Sequence, residues 1–144
     1  MQAVRSTPSL LPTGGRTKNA LVDCEGFESL ELTDLSGVTD YDPSEYVFTA
    51  KAGTLVEEAQ AILHEKKQYF PFDPPFSVKG STLGGMVACG FNGPGAIRYG
   101  GLRDFLIGVS FVDGRGNLLK GGGKVVKNAA GFDLPKFLVG SLGR

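Results

Sequence analysis

Two glycine-rich stretches carry the residue types that hold an anion. In the first, Thr13-Gly14-Gly15-Arg16-Thr17-Lys18 follows the apolar Leu10-Leu11-Pro12. Successive backbone N–H groups in such a turn form a nest for phosphate, here with a cation in it. A Gly-Gly pair also serves as a plain turn, and on these residues alone both readings stand. In the second, Ser81 and Thr82 precede Leu83-Gly84-Gly85-Met86-Val87-Ala88. Ser and Thr cap helix starts, so a short helix of small residues is expected here. Its start predicts unpaired N–H groups around Thr82, Gly84 and Gly85, which attract phosphate through free donors and the helix dipole. Glycine there lets a pyrophosphate approach to contact distance. Tight helix packing explains the same glycines equally well.

Other chemistry-bearing residues are sparse. The second stretch runs on through Asn92 to Arg98-Tyr99-Gly100 and Asp104. Asp104 is its one carboxylate, and a structural hydrogen bond is its expected role. His64 is the single histidine, which excludes a multi-histidine metal site. Its place in the last turn of a helix marks it as surface. Cys24 and Cys89 are isolated, as reduced thiols in a cytoplasmic setting would be. No Gly-x-Gly-x-x-Gly follows a strand, and the nearest approach to a P-loop, Gly116 to Lys124, has Gly122 where lysine belongs.

Composition narrows the class. The 144 residues suit one domain, and a net charge of zero excludes the clustered basic surplus of a nucleic-acid binder. Glycine, at 22 residues, is roughly twice its usual share, while the hydrophobic fraction of 41% is ordinary for a globular protein. The glycines therefore serve turns and close approaches inside a folded unit. No apolar run is long enough for a membrane span, and no charged-then-apolar leader opens the chain.

The positioning elements follow in order. Residues 1–9 are polar without periodicity and are expected to fray. Leu30 and Leu32 alternate with charged neighbours, predicting a strand near Ser29–Thr33. Residues 34–44 are turn-rich, and Tyr46–Ala50 is a second strand. A helix is predicted over Thr54–Lys67, with Thr54 and Glu57 as a capping box, Val56, Ala59, Ile62 and Leu63 as its apolar stripe, and Lys66 and Lys67 at its end. Tyr69–Phe76 holds three prolines and four aromatics, an irregular lead-in that either covers the core or stacks on a ligand. Phe105–Val112 reads as a strand joined to Asn117–Lys120 through an Asp113-Gly114 hairpin turn, broken by Gly121–Gly123. Asp133 is the expected N-cap of a short helix with Leu134, Phe137 and Leu138 inward and Gly140 just past its end.

Four blocks in order resemble one family. Thr13–Lys18, Ser81–Ala88, Arg98-Tyr99-Gly100 with Asp104, and Lys127–Leu134 match the FAD-binding domain of the vanillyl-alcohol oxidase / p-cresol methylhydroxylase (PCMH) type. Within that superfamily the chain is most similar to FAD-binding subunits of bacterial glycolate oxidase, relatives of D-lactate dehydrogenases. The match covers 10–144, nearly the whole chain. The resemblance implies an α+β fold of two small α+β subdomains with FAD extended between them. It implies a pyrophosphate loop at Gly14, Gly15, Arg16, Thr17 and Lys18, and pyrophosphate and ribityl contacts at Ser81, Thr82, Gly84 and Gly85. Asn92, Arg98, Tyr99 and Gly100 would lie toward the isoalloxazine, with Arg98 either facing an anionic reduced flavin or holding its loop. Gly131, Asp133 and Leu134 would close over the nucleotide.

The departures from the family pattern also carry expectations. Covalent members place a histidine just after the glycine run; here Arg16 and Thr17 stand there, so FAD is expected to be non-covalent. The chain lacks the family's opening region before Leu10 and the strand expected beyond Gly143, which leads us to expect an abbreviated domain with an unpaired sheet edge that pairs with another chain. Two functions remain open. One is the flavin-binding component of an oxidoreductase acting on a 2-hydroxy acid such as glycolate. It would work with partner oxidoreductase subunits in a homo- or hetero-oligomer, cytoplasmic or held at the membrane through those subunits. The other is a non-catalytic scaffold that keeps the fold without FAD. No catalytic residue is assigned, because hydride chemistry belongs to the flavin.

Overall fold

The computed structural model describes residues 1–21, 23, 25–123 and 133–143. Among the described residues the strands come in three separate pairs, with short helices between them, in keeping with the α+β expectation. Gln2–Ser6 forms helix α1, where fraying was expected; its Arg5 guanidinium donates to the Gly116 carbonyl at 3.3 Å. Strand β1 (Leu10–Thr13) pairs in parallel with β2 (Glu28–Glu31), so that Thr13 lies opposite Glu31. The connection of such a pair must cross over. Among its described residues that crossover contains the Gly14–Lys18 loop and a 3-10 turn, Asn19–Leu21.

β3 (Val38–Asp42) and β4 (Val47–Ala50) form an antiparallel hairpin with a bulge between Val38 and Asp40. Residues 38–42 were expected to be turn. The bulge breaks the period-two alternation that would have marked a strand. In the connecting turn the Asp42 carboxylate accepts from the Ser44 N–H at 3.0 Å and the Ser44 hydroxyl at 2.6 Å.

α2 (Val56–Glu65) buries Val56, Ala59 and Leu63 of the predicted stripe, with Ile62 half-buried, and leaves His64 exposed. It starts two residues later than predicted, and the Thr54–Glu57 capping box is not formed. Instead the Thr54 hydroxyl accepts from the Gly37 N–H at 2.9 Å, and the Val56 N–H donates to the Ser81 carbonyl at 2.8 Å. Tertiary partners have replaced the local cap. Lys66 and Lys67 lie just beyond the helix.

Phe72 from the proline-rich lead-in is only 2% exposed and joins Val56, Met86 and Leu102 as the core. Its ring centroid lies 5.5 Å from Phe70 and 5.6 Å from Phe105. At these positions the lead-in is core packing rather than a ligand platform. α3 (Leu83–Cys89) supplies Met86, and α5 (Leu102–Phe105) supplies Leu102; α4 (Ala96–Tyr99) lies between them. The Asp104 carboxylate accepts from the Gly101 N–H at 2.9 Å, the structural bond expected of it.

β5 (Gly108–Val112) and β6 (Leu118–Gly122) make the predicted hairpin, with the Asp113 carboxylate accepting from the Arg115 and Asn117 N–H groups. Two boundaries differ from expectation. Phe105 ends a helical turn rather than opening the strand, and the strand continues through Gly121 and Gly122 instead of breaking there. A Cβ on Gly121 would sit 3.0 Å from Leu134, so the missing side chain makes room for α6 (Leu134–Leu138). Asp133 stands at the N-cap of α6 as expected, but its side chain makes no capping bond and its carboxylate pairs with Lys136 at 2.7 Å. Phe137, expected inward, is 56% exposed, and Pro135 takes the buried place. After α6, Gly140 turns with φ +83°, and the N–H groups of Gly140 and Leu142 donate to Val87 and Ala88 of α3.

Candidate functional site

A cleft lies where the Gly14–Lys18 loop leaves β1 and passes the start of α3, lined by Gly14, Gly15, Thr17, Lys18, Thr82 and Gly85 among others. The loop reaches α3 only because of its glycines. A Cβ on Gly15 would lie 1.6 Å from the Gly80 carbonyl oxygen, and one on Gly14 would lie 2.3 Å from Thr82 Oγ1. Real Cβ contacts do not occur at such distances, so any other residue would push the loop away.

Within the loop, Arg16 holds φ +53°. That left-handed conformation costs a non-glycine residue about 1–2 kcal/mol. Its guanidinium points back over β2, donating to Ser29 Oγ at 3.0 Å and pairing with the Glu31 carboxylate. Ser29 also bonds Glu31 at 3.0 Å and Thr13 Oγ1 at 2.8 Å, so four side chains form one network. The hydrogen bond from Arg16, followed by those from Ser29 and Thr13, holds Glu31 below the usual carboxylate range. Exposed to water, the ion pair with its hydrogen bonds offsets only part of the cost of the backbone turn it accompanies.

Lys18 points the other way. Its Nζ donates to Ser81 Oγ at 2.6 Å and Thr17 Oγ1 at 3.0 Å, and stands 5.8 Å from the centre of the Phe76 ring. Burial pushes its pKa below the ordinary lysine value. An ammonium short of water in this way is stabilised by an anion brought to it.

The backbone donors are distributed unlike the expectation. Among the described residues, the N–H groups of Gly14, Gly15, Arg16, Thr17 and Lys18 meet no acceptor. At α3, where free donors were expected, the N–H of Leu83 donates to Thr54 O at 2.8 Å and that of Gly84 to Ala52 O at 2.7 Å. Gly85 donates to Thr82 Oγ1 at 3.2 Å. The helix start is thus satisfied by the protein, and Gly84 faces Ala52, whose Cβ would lie 2.9 Å from a side chain there. Packing, the alternative reading of that glycine, is what the structure contains.

Of the remaining predicted residues, those described lie outside the cleft lining. Asn92 accepts from the Leu102 N–H at 2.7 Å and donates to the Gly90 carbonyl at 3.0 Å, pinning its own loop. Arg98 stacks on its neighbour Tyr99 at 5.3 Å from the ring centre, and the Tyr99 phenol is pushed up first by its hydrogen bond with Tyr69. Gly100, with φ +91°, leaves room for the Asp104 carboxylate. Asp133 and Leu134 serve α6, and Gly131 lies outside the described residues. Sequence reasoning missed Ser29 and Glu31, which the alternation of β2 places on the face of Thr13. It also missed Cys89 and Leu142, which line the cleft through long-range backbone pairing that no local pattern announces.

Comparison with known proteins places this geometry in context. The family model described as FAD binding domain matches residues 2–122. Glycolate oxidase subunit GlcE of Escherichia coli is 38% identical over 142 residues, 99% of this chain and 41% of the relative. D-2-hydroxyglutarate dehydrogenase of Xanthomonas citri is 32% identical over 94% of this chain and 29% of the relative. A solved structure of alkyldihydroxyacetonephosphate synthase superposes with a TM-score of 0.73 at 26% identity, covering 94% of this chain and 25% of that one. The chain therefore spans 25–41% of the length of these relatives. Among the described residues no helix is long and apolar enough to cross a membrane.

Proposed function

Because the chain belongs to the FAD binding domain family, we propose that it is the flavin-binding part of an oxidoreductase acting on a 2-hydroxy acid such as glycolate. Its FAD diphosphate lies in the cleft of the Gly14–Lys18 loop. The observation that carries this reading is the run of five successive N–H groups, Gly14 to Lys18, without an acceptor among the described residues, beside a partly buried ammonium. Unpaired backbone donors are expensive to keep unless water or an anion meets them.

The chain's own residues then have defined tasks. The loop N–H groups bind the diphosphate oxygens and fix their position, while Lys18 neutralises their charge. Ser81 and Thr17 keep the Lys18 Nζ aimed. Leu11, Pro12 and Leu142 wall the cleft with apolar surface, which strengthens each charge-assisted bond inside it. FAD, when bound, supplies the two-electron acceptor for oxidation of the hydroxyl-bearing carbon. Attachment is non-covalent, since Arg16 and Thr17 stand where covalent members carry histidine. The substrate and electron acceptor are met through partner oxidoreductase subunits, in line with the word "subunit" in the name of the Escherichia coli relative.

The scaffold reading has one observation of its own, the paired N–H groups at the start of α3, which offer a ligand less than expected. An absorbance spectrum of the purified protein, with an FAD titration followed by flavin fluorescence, separates the two. Flavin bands or saturable FAD binding are expected, with the flavin released by acid. A protein without flavin bands that leaves added FAD fluorescence unchanged would establish the scaffold reading instead.

A further inference from the structure

We propose that Arg16 is not a ligand of the diphosphate but a positioning residue, held by Glu31 and Ser29 so that the Gly14–Lys18 loop keeps the shape of an anion cradle. The inference rests on the reading of this cleft as the diphosphate site. Both loop cations are basic residues two apart, yet their side chains part company. Both residues border the cleft, but among the described residues the Lys18 Nζ bonds only the hydroxyls of Ser81 and Thr17. The Arg16 guanidinium is committed to Ser29 and the Glu31 carboxylate on β2, and its charge is matched there. Meanwhile the Arg16 backbone holds the one positive φ among residues 14–18, +53°. A left-handed residue between right-handed or extended neighbours is what turns successive N–H groups toward a common centre. Glycine would adopt that conformation freely; arginine does so against a steric penalty. The tether to β2 supplies part of the compensation, and Thr13, bonded to Ser29 at the root of the loop, joins the tether to the strand from which the loop springs. Of the two loop cations, Lys18 is the one whose charge is not already paired with the Glu31 carboxylate.

This assignment makes predictions opposite in sign to those of a phosphate-binding arginine. Four variants are titrated with FAD by fluorescence: Arg16→Ala, Arg16→Gly, Glu31→Gln and the double Arg16→Gly/Glu31→Gln. Arg16→Ala loses the tether and keeps the steric penalty, so affinity should fall about tenfold. Arg16→Gly loses the same charge but removes the penalty, and should recover most of that loss. Glu31→Gln should weaken binding when Arg16 is present and have no effect beside Arg16→Gly. A ligand arginine would give equal losses for Arg16→Ala and Arg16→Gly, and tighter binding for Glu31→Gln, which frees a cation; either result overturns the proposal. Amide resonances of Gly14–Lys18 in the FAD-free protein provide a readout independent of binding. Glu31→Gln should shift them, and Arg16→Gly should make them insensitive to it. Should wild type bind no FAD, the proposed function fails, while these shifts still decide whether Arg16 shapes the loop; unmoved resonances would sink that idea.

Discussion

Lys18 is the residue on which anion affinity turns, because among the cations lining the cleft it has no carboxylate partner among the described residues and has lost part of its hydration. A charge-assisted hydrogen bond contributes about 1.5–3 kcal/mol, so Lys18→Met should weaken FAD binding roughly ten- to a hundredfold. Fluorescence titration measures this, and a loss under threefold would remove Lys18 from the site. The pH dependence follows from the direction of its shift. Bound phosphate favours the protonated amine, so affinity is complete below the lowered Lys18 pKa and falls as pH rises through it. Lys18→Arg, which stays charged, should flatten that alkaline fall. Glu31 behaves in the opposite sense: its folded pKa is depressed, so the stability it contributes is present above the ordinary carboxylate pKa and disappears as pH falls through the depressed value.

Helix α3 was expected to bind ligand through its glycines, and its geometry redirects the test. Gly84 packs on Ala52, so Gly84→Ala overpacks that contact and should cost about 1–3 kcal/mol of stability. FAD affinity of the folded fraction should stay within a few-fold. Thermal melts with and without FAD check this, and an unchanged melting temperature with lost affinity would restore the ligand role. Phe72→Ala, by contrast, should cost about 3–5 kcal/mol, because the ring is fully enclosed by the core. The elements legible in the sequence were those announced locally: the stripe of α2, the Asp113-Gly114 turn, the Thr82 cap of α3. What stayed hidden was decided by distant partners. Thr54 looks like a helix cap until Gly37 takes its hydroxyl. Strand β3 is disguised by its bulge, and Gly121 looks like a breaker until Leu134 fills the space above it. The site divides in the same way. Gly14 to Lys18 and Thr82 could be found from residue type, whereas the Ser29–Glu31 support needed the register of β1 on β2.

At the scale of the whole molecule, the three strand pairs found among the described residues are not joined into one sheet there, and the enclosed core sits with the helices and Phe72. A two-stranded pair is marginal by itself. Native-state hydrogen exchange should therefore find its slowest amides in α2 and α3, with β3–β4 and β5–β6 opening at lower free energy. Strand-pair amides protected as strongly as those of α2 and α3 would contradict this picture. The cleft bridges two of these unequal parts, one wall belonging to the loop on β1 and the other to α3. An anion gripping both walls does more than add binding energy: it couples the melting of a weak part to that of a strong one. Without the dinucleotide, calorimetric unfolding should be broad, its van't Hoff enthalpy smaller than the heat actually absorbed. With the dinucleotide in place the two enthalpies should converge, as the β1–β2 pair ceases to come apart ahead of the helices.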